Sequence, residues 1–285
     1  MTIRQVHRII KSMPASDGAG VKLRRSLGQS NFARLDPFLM LDEFSSDDAA
    51  DYIAGFPAHP HRGFETVTYM LEGRMRHRDN HGNEGVLVPG SVQWMTAGRG
   101  LVHSEMPEQQ AGRMRGFQLW LNLPAREKMT APKYQEFGPE RIPSATPAAG
   151  VTVKVIAGRV GDVAGPIQQP ATDPTYLDLS IRPGAQFVQS LPPDYAGFLY
   201  VFEGAVRVGT DPGAKAVQAH ELAVLGEGDE IRITGVGAGA DGETARAILV
   251  AGRPLREAVA RYGPFVMNTR RELEQAFADF QSGRF

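Results

Sequence analysis

The chain repeats itself. Tyr69-Met70-Leu71-Glu72-Gly73-Arg74-Met75-Arg76 aligns with Tyr200-Val201-Phe202-Glu203-Gly204-Ala205-Val206-Arg207. In each copy an apolar run ends at Glu-Gly and a second strand-like run begins. Each then continues through a glycine-rich hairpin, to Pro89-Gly90 in the first and to Glu227-Gly228-Asp229 in the second. A sequence that takes the same strand–turn–strand course twice predicts a duplicated β-domain, two barrels of similar topology. The 32 glycines and 20 prolines supply the tight turns that an all-β architecture needs.

Turn signals divide the first copy into strands: Glu72-Gly73, Asn80-His81-Gly82-Asn83, Pro89-Gly90 and Gly98-Arg99-Gly100. A further strand runs from Gly116 to Asn122. The stretch from Pro124 to Gly150, with Pro132, Pro139, Pro143 and Pro147, reads as a linker. A second strand-rich block follows from Val151 to Gly252. The expected division is therefore residues 1–135 and residues 136–285. The tail reads as helical, with one segment over 255–262 and a second opened by Thr269-Arg270-Arg271-Glu272, a capping box. Leu273, Ala276, Phe277 and Phe280 then form one apolar stripe, and Gly283 suits the C-terminal cap. These helices are expected on a barrel's outside.

Composition excludes some chemistry. No cysteine is present, so disulfides, thiolate ligands and a cysteine nucleophile are ruled out. The net charge of -1 gives no pull toward nucleic acid or anionic membrane. No basic patch points to direct nucleic-acid contact. The first residues lack a signal-peptide apolar stretch, and no run of about eighteen apolar residues exists. A soluble, cytoplasmic monomer is expected.

Two dyads carry the chemistry: His59-Pro60-His61 and His103-Ser104-Glu105. Each puts two metal-capable side chains at i and i+2, which share one face of a strand. If their strands lie side by side, three imidazoles and one carboxylate converge, a set suited to a first-row transition metal. Strand-like runs adjoin both dyads, Phe64 to Glu72 after the first and Ser91 to Thr96 before the second. Gly55-x3-His59-x-His61-x3-Glu65 resembles the first cupin motif, which offers Glu65 as a rival carboxylate ligand. Spacing alone does not choose between Glu65 and Glu105.

The chain resembles the pirin family of bicupins along nearly its whole length. The resemblance lies in the runs from Leu35 to Phe44, Pro57 to Val67, Gln93 to Pro107 and Gln118 to Pro124. It implies His59, His61, His103 and Glu105 as the metal ligands, Fe(II) as the usual metal, and a supporting role for Glu65. It also implies a metal-free second cupin domain, in residues 136–285. Three neutral imidazoles and one carboxylate leave Fe(II) with a single positive charge and two of six octahedral positions open. That is one protein ligand more than the common two-histidine, one-carboxylate set. The donor set alone does not exclude Mn, Ni, Cu or Zn.

The activity implied by the resemblance is quercetin 2,3-dioxygenase-type cleavage of a flavonol or similar chelating substrate by dioxygen. Glu105 is then a ligand and, when displaced, the base for the enol proton. The rival reading is a non-enzymatic, iron-dependent regulatory or redox-sensing protein that binds a transcription factor or metabolic enzyme. Other polar clusters rank lower. His220 and Glu221 are adjacent and so face opposite sides of a strand. Arg76 to His81 reads as a solvated hairpin, and Asp42-Glu43 as a strand-end acidic pair. Trp94, Met95 and Gln118 flank the ligand strands, as pocket lining or as core.

Overall fold

The structure is a computed structural model that describes residues 2–29, 35–237 and 242–285. Its contacts divide the chain into two units. One comprises Met13–Pro139 and Leu255–Phe285, the other Met1–Ser12 and Glu140–Pro254. The division departs from a linear one at both ends: the N-terminal strand Val6–Lys11 pairs into the second unit's larger sheet, and the tail Leu255–Phe285, a two-stranded hairpin and a helix, belongs to the first unit.

In the first unit a seven-stranded antiparallel sheet has the order Lys133–Phe137, Val92–Thr96, Phe64–Glu72, Met114–Asn122, Phe38–Ser46, Val21–Leu27, Met13–Asp17. A four-stranded sheet has the order Phe56–His61, Leu101–Pro107, Met75–Asp79, Glu84–Leu87. In the second unit the larger sheet runs Val6–Lys11, Glu221–Leu225, Ala196–Glu203, Ala245–Gly252, Thr175–Ile181, Val151–Ala157, Ser144–Ala148. Its smaller sheet runs Gln186–Ser190, Glu230–Val236, Ala205–Val208, Lys215–Gln218. Taken in sequence, the two orders match strand for strand apart from the recruited edge. Phe64–Glu72 and Ala196–Glu203 hold the same place. Gly73 and Gly204 follow them with φ +85° and +65°, the left-handed turn that glycine adopts without strain. The duplication read from the two Glu-Gly turns is thus a duplication of topology.

The proline-rich stretch is more than a linker. Lys133–Phe137 pairs with Val92–Thr96, and Ser144–Ala148 pairs with Val151–Ala157. Both are edge strands, where a residue lacking an N–H is tolerated.

The two interiors differ in kind. The second is apolar: Leu177, Leu179, Phe187, Leu199, Ile231 and Ile233 are fully buried in one cluster. Each such side chain contributes about 1.5–3 kcal/mol. The first unit instead buries His61, Glu65, Thr68, Gln93, Thr96, His103 and Glu105. Buried polar groups cost stability unless they are paired, so this barrel gives up hydrophobic burial for a site.

The tail has one helix, Arg270–Gln281, not two. Thr269 and Glu272 form the expected capping box, and Leu273 and Ala276 pack on Phe265 and Met267. Gly283, at φ +70°, follows the Ser282 cap. Over 255–262 no helix forms. Arg256 has φ +55°, its N–H is taken by Asp36, and Ala260–Tyr262 pairs with Phe265–Met267. Three apolar residues in about two turns do not outweigh the cost of helix nucleation. Among the described residues no helix is long and apolar enough to cross a membrane.

Candidate metal centre

Both dyads lie within strands of their own. Phe56–His61 and Leu101–Pro107 are antiparallel neighbours, with His103 opposite His59 and Leu101 opposite His61. The register shifts between His103 and Glu105. The turn after His61 is set by Gly63. At φ +86°, a Cβ there would lie 2.0 Å from the Val266 carbonyl oxygen, so only glycine fits. Its N–H donates to Gly98 O at 2.8 Å, which ties the first dyad's exit to the turn before the second.

The three histidines converge. Their ligand-capable atoms all lie within 4.8 Å of one another. His59 Nδ1 is 2.8 Å from Pro57 O. A carbonyl only accepts, so Nδ1 carries a proton, and Nε2 is the nitrogen left to serve as a ligand. That Nε2 faces His61 Nε2 at 3.0 Å. Two nitrogens about 2.1 Å from one ion, at right angles, would sit about 3.0 Å apart. His103 is buried, and neither of its ring nitrogens has a hydrogen-bond partner among the described residues. Buried imidazole nitrogens are rarely left so. The donor set therefore fits a divalent cation.

The electrostatics favour the ligand form. Burial pushes the His61 proton affinity well down, and His59 and Arg261 lower it further against the opposing Pro264 backbone. Burial does the same at His103, reinforced by His61, His59 and His77. Neutral imidazole is the state that binds a metal.

Glu105 stands outside the three-histidine group and lines the adjoining cavity. Burial raises its pKa, against His59, the Thr68 hydrogen bond and His77. Thr68 Oγ1 lies 2.9 Å from Glu105 Oε1 and 2.6 Å from Gln118 Oε1. With one proton, the hydroxyl serves one of them at a time. Gln118 Nε2 is 3.4 Å from Glu105 Oε2. Glu65 is fully buried, accepts from Thr96 Oγ1 at 2.6 Å and likewise stands outside the three-histidine group.

The cavity measures about 600 Å³. His59, His61, Glu105 and Gln118 form its polar end, and Leu23, Met40, Phe44, Phe56 and Trp120 its apolar wall. Trp120 packs against both Phe64 and His61, with ring centroids 4.4 and 5.2 Å away, and so braces the His61 ring.

Several polar residues sit differently from their sequence reading. His77 is no part of a solvated turn: it is buried in Met75–Asp79, opposite Glu105, and its Nε2 lies 2.6 Å from Glu136 Oε2. The alternation of Met75, His77 and Asp79 with Arg76 and Arg78 is the signal that marks it. Asp42 and Glu43 are buried within Phe38–Ser46, not at a strand end. Asp42 takes two hydrogen bonds from Arg25, at 2.8 and 2.6 Å, and Glu43 pairs with Arg115 at 3.1 Å. Trp94 and Met95 belong to the buried core, whereas Gln118 lines the cavity. In the second unit, the strands equivalent to the dyad strands bury Phe187, Ile231 and Ile233. His220 occupies a left-handed turn at φ +65°.

The comparisons agree with this architecture. The Pirin family pattern matches residues 20–121, and the Pirin C-terminal cupin domain matches residues 176–285. A pirin-like protein of Caulobacter vibrioides is 55% identical over the whole of both chains. Human pirin is 43% identical over 99% of this chain and 93% of its own. The crystal structure of a quercetin 2,3-dioxygenase from Acinetobacter baumannii superposes with a TM-score of 0.89 at 31% identity, covering 99% of this chain and 98% of that one. On these grounds the chain belongs to the pirin family of cupin proteins.

Proposed function

We propose that the chain is a metal-dependent dioxygenase of the quercetin 2,3-dioxygenase type, acting on a flavonol or similar chelating enol. The observation that carries this reading is the convergence of three imidazoles beside a buried carboxylate, at the polar end of a 600 Å³ cavity. The name of the Acinetobacter baumannii structure points the same way. His59, His61, His103 and Glu105 are assigned as the residues that hold the metal, with Fe(II) as the ion. When bound, the ion supplies Lewis acidity toward the enol oxygen and one-electron chemistry toward dioxygen.

The protein's own groups do the rest. The apolar wall of Leu23, Met40, Phe44 and Phe56 takes the aromatic rings and excludes water. Glu105 accepts the enol proton. Thr68 and Gln118 hold its two oxygens in place. The 140–254 unit, with apolar residues on the equivalent strands, is assigned no metal.

The test is oxygen consumption and carbon monoxide release with quercetin, using Fe(II)-loaded protein of measured metal content. One metal ion per chain and turnover are expected. Glu105→Gln keeps the side chain's size and loses its basicity. At full metal occupancy its rate should stay about 10²–10⁴-fold low. Full occupancy without oxygen uptake by the unaltered protein would remove the enzyme reading in favour of an iron-dependent, partner-binding role.

A further inference from the structure

A buried arginine ties the two histidine dyads to the tail. Arg62 follows His61, so its side chain points away from the histidine face. It is 3% exposed, and a guanidinium so buried calls for a charge partner. The partner comes from 217 positions along the chain. Arg62 Nη1 donates to Asp279 Oδ2 at 2.7 Å, on the helix Arg270–Gln281. Arg62 Nε donates to the Arg99 carbonyl, in the turn that leads into the second dyad's strand. The guanidinium carbon lies 4.3 Å from the Phe285 ring centroid.

The tail grips the entry of the second dyad as well. The Phe285 ring fills the space beside Gly100, where a Cβ would lie 2.9 Å from it. Asn80 Nδ2 donates to Phe285 O at 2.9 Å, and Asn80 Oδ1 accepts from the Val102 N–H at 2.9 Å. These contacts gather where the two dyad strands stop pairing. Leu101 opposite His61 is the last rung of that ladder at this end, and Arg62 and Arg99 lie just beyond it. The spacing of His61 from His103 therefore depends on how the chain is held past that rung. Asp279 is itself held. Gln275 Nε2 at 2.8 Å and Arg284 Nη2 at 2.6 Å both donate to its Oδ1, and Oδ2 faces Arg62.

We propose that Asp279 is a positioning residue for the metal centre, acting through Arg62 to keep the two dyads in register. Without the carboxylate, the buried guanidinium loses its paired charge and turns toward water. It then releases the Arg99 carbonyl, and the last rung between the dyads loosens. The proposal rests on the three-histidine metal reading and not on any particular reaction.

Co(II) is the probe, because its visible bands report ligand geometry and its affinity can be read by competition with a chromophoric chelator. The unaltered protein should bind one Co(II) per chain. Asp279→Ala should raise the dissociation constant about tenfold, the lower end of what groups behind metal ligands contribute. Its bands should also shift at full occupancy, which a helix merely docked on the barrel would leave in place. Asp279→Asn keeps an acceptor for Arg62 and loses the charge, so it should weaken binding by only a few fold. Arg62→Met should weaken binding at least as much as Asp279→Ala. The double variant should be no weaker than Arg62→Met alone, since both changes break one link. Unchanged affinity and bands in Asp279→Ala would overturn the proposal, as would losses that add in the double variant. If Asp279→Ala is unfolded at the assay temperature, Asp279→Asn decides: affinity and bands equal to those of the unaltered protein overturn the proposal. Failure of the unaltered protein to bind Co(II) would remove the metal reading itself, and this proposal with it.

Discussion

Lys128 offers a sharp test of how the first unit's barrel is held together. Its ammonium is buried and donates to three acceptors: Gly63 O and Asn122 Oδ1 at 2.7 Å, and Val266 O at 2.9 Å. These belong to the turn after His61, the end of the Met114–Asn122 strand and the tail hairpin. Burial pulls the Lys128 pKa down to about 8, against the charges of Glu257 and Glu272. Lys128→Met keeps the length and removes every donor. Three buried acceptors left without partners cost about 1–3 kcal/mol each. Against this stands the relief of a buried charge, worth about 3 kcal/mol for a pKa drop from 10.5 to about 8. The net expectation is a loss of about 3 kcal/mol at pH 7. The sign of the pH dependence follows from the same shift. Between pH 8 and 10.5 the unfolded chain binds more protons at Lys128 than the folded one, so the natural protein gains stability from this group as pH rises. The variant lacks the group, and the gap between the two should widen across that window. Urea unfolding followed by tryptophan fluorescence is the assay, because Trp94 and Trp120, the chain's two tryptophans, both lie in this unit. A shift below about 1 kcal/mol, or a gap that narrows above pH 8, would refute the account of Lys128 as a buried charged tie.

Two further substitutions probe the scaffold. Gly63→Ala puts a Cβ 2.0 Å from the Val266 carbonyl oxygen at a positive φ. It should cost more than about 2 kcal/mol in thermal unfolding and lower metal content after purification, because the turn sets the exit of His61. Arg115→Met leaves Glu43, itself buried, without the arginine that pairs with it at 3.1 Å. A loss of about 3–5 kcal/mol is expected in urea unfolding, and the double variant Arg115→Met with Glu43→Leu should recover most of it.

The legible parts of this chain are those whose signal is local. The Glu-Gly turns give the duplication, because a left-handed glycine closing an apolar strand is written in adjacent residues. The dyads give the histidine cluster, because i and i+2 share a strand face whatever the strand's neighbours. What the sequence hides comes from elsewhere along the chain. Lys128 leaves a short 3-10 turn to reach residues up to 138 positions away, and no pattern around it forecasts three acceptors. The segment 255–262 imitates a short helix. Its polar groups are claimed by Asp36 and by the tail hairpin, and that competition brings Arg261 to the cavity. His77 lies between the extremes. Its alternation with two arginines is local, but the Glu136 that faces it comes from a proline-rich stretch that reads as linker. Gly85 leaves the space for that pair, since a Cβ there would lie 2.4 Å from His77 Nε2 and 2.7 Å from Glu136 Oε1. The clustered histidines are therefore fixed by near neighbours, whereas the groups that shape their surroundings arrive through tertiary pairing.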